Sequence, residues 1–549
     1  MKDYTKKQKI LIVLGLTLFI LIGSGITYAA LTWATSNPIN IGLTSGCFEI
    51  NYTPGGTINN ANVEVMNEST LISNNKFTIT EGIALTYANI GIKSTCSIEG
   101  YGSLYLNVTS LSSAFTTGSS KGSLKYVILN NTSSSTNLTV AGLKGQSFDI
   151  IKTGTITSTG TVNILTKQLS NTSQYKYLIV FYIDGSKIGN DVIGASFAGN
   201  ISADAHQGKL DLAKETLNYL KSLNSTITLA NDTPDFTKVS GNNGGKGDGT
   251  KGIYKAEDDL GTSYYFRGAV DNNYVKFANF YWRIIRINGD GTIRMIYAGT
   301  SAHANGESET DSYISQTAYN SSYNDNTYVG YMIGSAGATT YASAHSNTNN
   351  STIKGVIDTW YKTNIVDKGY SSYVADAIYC NDRSIANDSA TNTMLTKVNS
   401  SWINTGLGYG TNVTAYGGFK RNWVDRMPSL KCPNNNDKFT KSSTLGNGKL
   451  TYPVALITSD EIAYAGGSAA YYNTSNTEFY LHTPSYYYWT LTPWAYAGWG
   501  SNVVGWFTTG HLSSAYGDSA YYAARPAVSL SSVAISGGNG TINNPFTVG

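Results

Sequence analysis

The sequence predicts a multidomain, β-rich exported chain: an N-terminal transmembrane or signal helix, an all-β sandwich domain, and an α+β domain at the C-terminus. Three observations carry this. A basic flank precedes a long uncharged apolar run at the start. Charged residues make up only 13% of 549 residues, while hydrophobic residues reach 41% and aromatics 12%. Short alternating strand patterns, separated by Gly, Asn and Ser, fill most of the remainder.

Residues 1–35 read as the export element. Lys2, Lys6, Lys7 and Lys9 precede an uncharged run that starts at Ile10, and the next charged residue is Glu49. A basic flank before an apolar run keeps the N-terminus inside and sends the rest outward. The run exceeds the roughly 20 residues needed to span a bilayer. Retained anchor and cleaved signal both fit, since Tyr28-Ala29-Ala30 offers small residues without a clean A-x-A site. The expected location is extracellular, at the cell surface.

Residues 36–205 read as the β-sandwich, a stalk or assembly module. Cys47 to Tyr52 and Leu104 to Val108 alternate, and Leu124 to Leu129 and Tyr175 to Ile183 are longer apolar strands. The last ends at the turn Asp184-Gly185. Residues 206–250 follow as a helix and a linker. Leu210, Ala213, Leu217 and Leu220 fall on one helical face from about Lys209 to Leu223. The stretch from Gly241 to Thr250, GNNGGKGDGT, has the composition of a flexible linker. A domain boundary is expected near residue 245.

Residues 251–549 open with strands at Tyr264 to Gly268, Tyr274 to Phe277 and Tyr281 to Ile287. The last turns through Asn288-Gly289-Asp290-Gly291 into Thr292–Ala298, a hairpin with Asn-Gly and Asp-Gly supplying positive φ. A helix starts at Ser351 or Thr352, with Ile353, Val356, Ile357 and Trp360 on its core face. A second follows the strand Val454 to Ile457. Thr458 and Glu461 have capping-box spacing there, and Gly466 is suited to stop it.

The net charge of +3 is too weak and dispersed to predict nucleic-acid binding. Four cysteines, Cys47, Cys96, Cys380 and Cys432, form no C-x-x-C pair. They allow three disulfide pairings, of which Cys47–Cys96 with Cys380–Cys432 is the local choice; free thiols are the alternative. No H-E-x-x-H, G-x-S-x-G or P-loop pattern occurs, so no catalysis, metal or cofactor is expected. The acidic clusters Glu257-Asp258-Asp259 and Glu307 to Asp311, with His303 and His345, read as solvated loops.

The densest signal is the tract from Tyr486 to Leu530. It is crowded with Tyr, Trp, Ser, Gly and Asn and holds only two charged residues, Asp518 and Arg525. Large rigid rings among small adaptable polar groups are the chemistry of a binding surface. The expected ligand-binding residues are Tyr496, Trp499, Ser501, Asn502, Trp506, Thr508, His511, Ser513, Ser514, Tyr516, Ser519, Tyr521 and Tyr522. Trp489 and Leu491 are expected in the core, and Arg525 is expected to anchor backbone. In Val503 to Thr508 one alternating face is core, and the sequence does not say which.

Two resemblances add to this. GSGITYAALTWAT, from Gly23 to Thr35, resembles the export signal of the TasA/camelysin family of Gram-positive biofilm fibre proteins. The segments from Tyr264 to Tyr297, AIYCNDRSI, LTYPVALITSDEIAYAGG, YYWTLTP and AARPAVSL resemble exported gut Firmicute and mycoplasma-related proteins with C-type-lectin-like domains. That fold also includes formylglycine-generating-type enzymes and the targets of diversity-generating retroelements. The likeness implies a C-type-lectin-like domain over residues 251–549, with Tyr488-Trp489-Thr490, Pro493 and Arg525 to Val528 as frame. It also implies a variable ligand face between them. The expected partner is an unidentified protein or glycan on another cell or phage. Membrane attachment is expected through the N-terminal helix, and self-assembly through the sandwich.

Overall fold

A computed structural model describes residues 43–548, except 46–47, 59–62, 74, 95–98, 170–173, 208–209, 308–309, 399–400, 473, 498–499 and 533. The predicted export helix and the Cys47–Cys96 pair therefore lie outside the described residues. Among the described residues, no helix is long and apolar enough to cross a membrane. The chain is mostly β-sheet and divides into two compact units at Leu210/Asp211.

The first unit is built on the strand Tyr175–Asp184. Its apolar run is continuous because both of its faces are covered. Tyr177, Ile179, Phe181 and Ile183 enter one apolar cluster, while Leu178, Val180 and Tyr182 enter another. Antiparallel neighbours Ala84–Ser94 and Leu124–Asn130 flank it in a nine-stranded sheet. A second sheet has three antiparallel strands in the order Gly160–Leu169, Gly100–Leu111, Phe197–Gln207. Leu104, Leu106, Ile164 and Ile201 of this sheet share the first cluster with Ile128 and Ile179 of the larger one. Each such buried aliphatic side chain contributes about 1.5–3 kcal/mol. As expected, the central strand ends at Asp184, whose carboxylate accepts from Ser186 N.

The second unit begins with the helix Leu212–Leu223, capped by Asp211. Ala213, Leu217 and Leu220 pack in this unit's core, and Thr216 Oγ1 donates to Gly291 O at 2.8 Å. The helix is thus part of the C-terminal core.

The linker expectation is corrected. Arg267, fully buried, pairs with Asp248 at 2.9 Å and donates to Thr250 Oγ1 at 2.7 Å. Its Nη1 also reaches Ala463 O at 2.8 Å. Residues 241–250 are therefore built into the second unit, and the boundary falls at 210/211 rather than near 245.

Two sheets organise this unit. One has ten strands, with Ile293–Gly299 and Phe280–Ile287 at its centre and Ala527–Leu530 beside them. The expected hairpin is present, but only Gly291 of its two turn glycines takes positive φ, at 85°. Gly289 serves close approach instead, since a Cβ there would lie 2.5 Å from Gly261 N. The other sheet has seven strands, with Tyr488–Tyr496 paired to Ser501–Phe507 and that strand to His511–Tyr516.

The capping box is formed as predicted on the helix Ser459–Ala465, and Gly466 (φ 125°) ends it. The helix Thr352–Tyr361 starts at the Ser351 cap. Cys380 and Cys432 are disulfide-bonded, with Cα atoms 5.6 Å apart.

Two solvated-loop expectations are overturned, those for His345 and Asp258. His345 is buried, its Nε2 lies 2.8 Å from Gly408 O, and burial pushes its pKa down to about 3. Asp258 is buried and pairs with Arg286 at 2.7 Å. His303 stays half-buried in its loop, where its Nε2 lies 2.5 Å from Asp311 Oδ1, and that carboxylate also accepts from Thr300 N. Each contact joins residues or segments that sequence spacing alone does not pair.

Candidate ligand-binding face

The strands Tyr488–Tyr496, Ser501–Phe507 and His511–Tyr516 carry the tract singled out from sequence. The first has every residue buried, so Trp489 and Leu491 are core, as expected. Trp489 Nε1 donates to Thr317 O at 2.9 Å, which satisfies the only polar atom of its ring system. Arg525 anchors backbone, as expected: its Nε and Nη2 both donate to Tyr297 O, at 3.2 and 3.0 Å.

The strand Ser501–Phe507 has a neighbour on each side, and both of its faces are covered. This answers which alternating face is core: both are. Trp506 is fully buried against Phe479, with ring centroids 5.0 Å apart. Gly505 lies under Tyr522, where a Cβ would come within 3.1 Å of the ring.

Five expected ligand residues are therefore interior. Tyr496, Ser501, Asn502, Trp506 and Tyr522 are all buried, none more than 7% exposed. Ser501 Oγ donates to Asp325 O, Asn502 Nδ2 to Gly500 O at 2.9 Å, and Tyr496 OH to Asn324 O at 3.4 Å. These side chains hold backbone, and assigning them to an exposed face is corrected on that ground. Trp499 lies outside the described residues. Thr508, His511, Ser513, Ser514 and Ser519 are half-buried, while Tyr516 and Tyr521 are exposed at 41% and 57%.

The accessible residues gather around a ring cluster. Tyr487, half-buried, lies 4.9 Å from Phe507, 6.2 Å from Tyr521 and 5.5 Å from Tyr522. Phe507 stacks with His511 at 5.8 Å and an interplanar angle of 14°. Tyr521 and Tyr522 are 4.8 Å apart. Thr509 Oγ1 lies 3.2 Å from His511 Nδ1. Burial pushes the His511 pKa down, which favours the neutral imidazole. The cluster thus presents uncharged rings beside hydroxyls, on strands whose positions the core fixes.

A second, smaller platform pairs Tyr516 with Tyr323 at 5.3 Å; Tyr323 is 37% exposed. Tyr487, Phe507 and Tyr323 are functional candidates that the sequence reading missed. Tyr487 sits in the run Tyr486-Tyr487-Tyr488 and Phe507 alternates with Trp506, so a period-two signal was available for both. Tyr323 lies far from the tract in sequence and carried no such signal.

No protein-family model, curated protein or solved structure matches the chain.

Proposed function

We propose that this chain is a surface-displayed, adhesin-like protein whose C-terminal unit is a C-type-lectin-like ligand-binding domain of the retroelement-target type. The single observation that supports this best is the uncharged ring cluster of Tyr487, Phe507, His511 and Tyr521, with the Thr509 hydroxyl against His511. Rigid aromatic anchors with adaptable polar neighbours are suited to recognising a protein or glycan without chemistry. The first unit, read as a β-sandwich stalk or assembly module, would belong with it outside the cell, on a chain tethered by an N-terminal membrane anchor.

The test is binding of the full chain to glycan and bacterial-surface protein arrays, compared with Tyr521→Ala and Tyr516→Ala variants. The reading expects a binder whose affinity falls at least about fivefold in one variant, the size of an anchor contribution of over about 1 kcal/mol. Equal binding by wild type and both variants would overturn the assignment of the face. Sequencing the locus across a population tests the retroelement reading. Changes confined to codons near 490–525 support it, and an invariant tract counts against it.

A structural fibre or matrix subunit is the second reading. It is favoured by the edge strand Gly160–Leu169, whose first four residues are exposed and which pairs on one side with Gly100–Leu111. Such an edge is a template for another strand. Electron microscopy of purified ectodomain separates the two readings, since a subunit polymerises without ligand.

A further inference from the structure

A cavity of about 30 Å³ lies away from the aromatic cluster, among residues that include Arg286, Asn288, Arg294, Asp258, Glu461 and Cys380. Arg286 and Arg294 are direct cross-strand neighbours. Like charges in that register repel, and two carboxylates offset them. Arg286 Nη1 donates to Asp258 at 2.7 Å and its Nε to Glu461 at 3.1 Å, while Arg294 Nη1 lies 3.8 Å from Glu461. Arg421, paired with Asp382 and Asp460, also lines the cavity, as do Asp259 and Lys431, so the lining holds five carboxylates and four cations.

The hydrogen-bond inventory is uneven. Asp258 also accepts from Leu260 N, Gly261 N and Gly289 N, and Glu461 Oε2 accepts from Thr458 N. These carboxylates are well supplied with donors. Arg294 Nε and Asn288 Oδ1 have no partner among the described residues, although the two side chains belong to residues only 1% and 3% exposed. One is a donor and the other an acceptor, and both residues line the cavity. A buried polar atom left unpaired costs about 1–3 kcal/mol.

We infer that this cavity is a site for ordered water, which accepts from Arg294 Nε–H and donates to Asn288 Oδ1. Size agrees: one water needs about 10–15 Å³ of such room, so about two fit. Charge decides against the other small occupants. An anion would add to a lining whose carboxylates already outnumber its cations. A cation would face the guanidinium groups of Arg286, Arg294 and Arg421 and carboxylates already engaged by donors. Water supplies the one donor and one acceptor that the walls lack.

The test is a crystal structure of the full chain, at a resolution that shows ordered water, from crystals grown in bromide. The expected result is one or two peaks bridging Arg294 Nε and Asn288 Oδ1, with no anomalous signal. An anomalous bromide peak would replace water by an anion. Featureless density, or the two side chains bonded to each other, would remove the site altogether.

Discussion

Trp489 and Tyr522 stack with ring centroids 4.3 Å apart and planes 26° from parallel. The contact joins the fully buried interior of the C-terminal unit to the underside of the ring cluster, because Tyr522 also touches Tyr487, Phe507 and Tyr521. Burial therefore changes sharply between two adjacent tyrosines, from 57% exposed at Tyr521 to 2% at Tyr522.

Tyr522→Ala should destabilise the C-terminal unit by about 3–5 kcal/mol, the usual cost of deleting a large buried ring. Tyr521→Ala should change stability by less than about 0.5 kcal/mol, as for an exposed side chain away from special features. Urea unfolding of the two variants checks this. Equal destabilisation would mean that Tyr521 is as much a part of the core as its neighbour.

Arg383 is fully buried and pairs with Asp437, which is 1% exposed, with Nε donating to Oδ1 at 2.7 Å. Arg383→Met removes one partner and strands the other charge. The expected loss is about 3–5 kcal/mol. The double variant Arg383→Met/Asp437→Leu should recover part of it, and a double variant no more stable than the single would contradict the charge-stranding account.

Lowering pH should destabilise the C-terminal unit through His345. Its folded pKa, about 3, lies below the ordinary value of 6.5, because burial disfavours the imidazolium. The unfolded chain then binds the proton more readily, so stability is full above about pH 6.5 and falls as pH drops toward 3. The loss is on the order of a few kcal/mol. Melting temperatures from pH 7 to pH 4 should fall less steeply in His345→Gln than in wild type, and parallel curves would refute the assignment.

Reducing the Cys380–Cys432 bridge frees a loop spanning 52 residues. On the chain-entropy model the loss is about 4 kcal/mol. A Cys380→Ser/Cys432→Ser variant should unfold at correspondingly lower denaturant, and unchanged stability would show that the loop is held by its other contacts.

Local signals were legible in the sequence. Thr458 and Glu461 announced a capping box that forms, and the unbroken run from Tyr175 to Ile183 announced a strand, which the structure places inside its sheet. Non-local pairing was not legible. Gly-rich composition around residue 245 says nothing of Arg267, whose guanidinium gathers Asp248 and Thr250. The same limit applies to Ser501, Asn502 and Trp506. Alternation says that side chains point to opposite faces, but not that the sheet and loops cover both.

The close fit of Gly505 beneath Tyr522 has a consequence for combinatorial engineering. A display library on this scaffold should randomise positions 511, 513, 514, 519 and 521 and keep 501, 502, 505, 506 and 522 constant. The first group borders solvent, so new side chains there meet little resistance. The second group sets the spacing of the strands, and sampling it would spend library diversity on clones that do not fold.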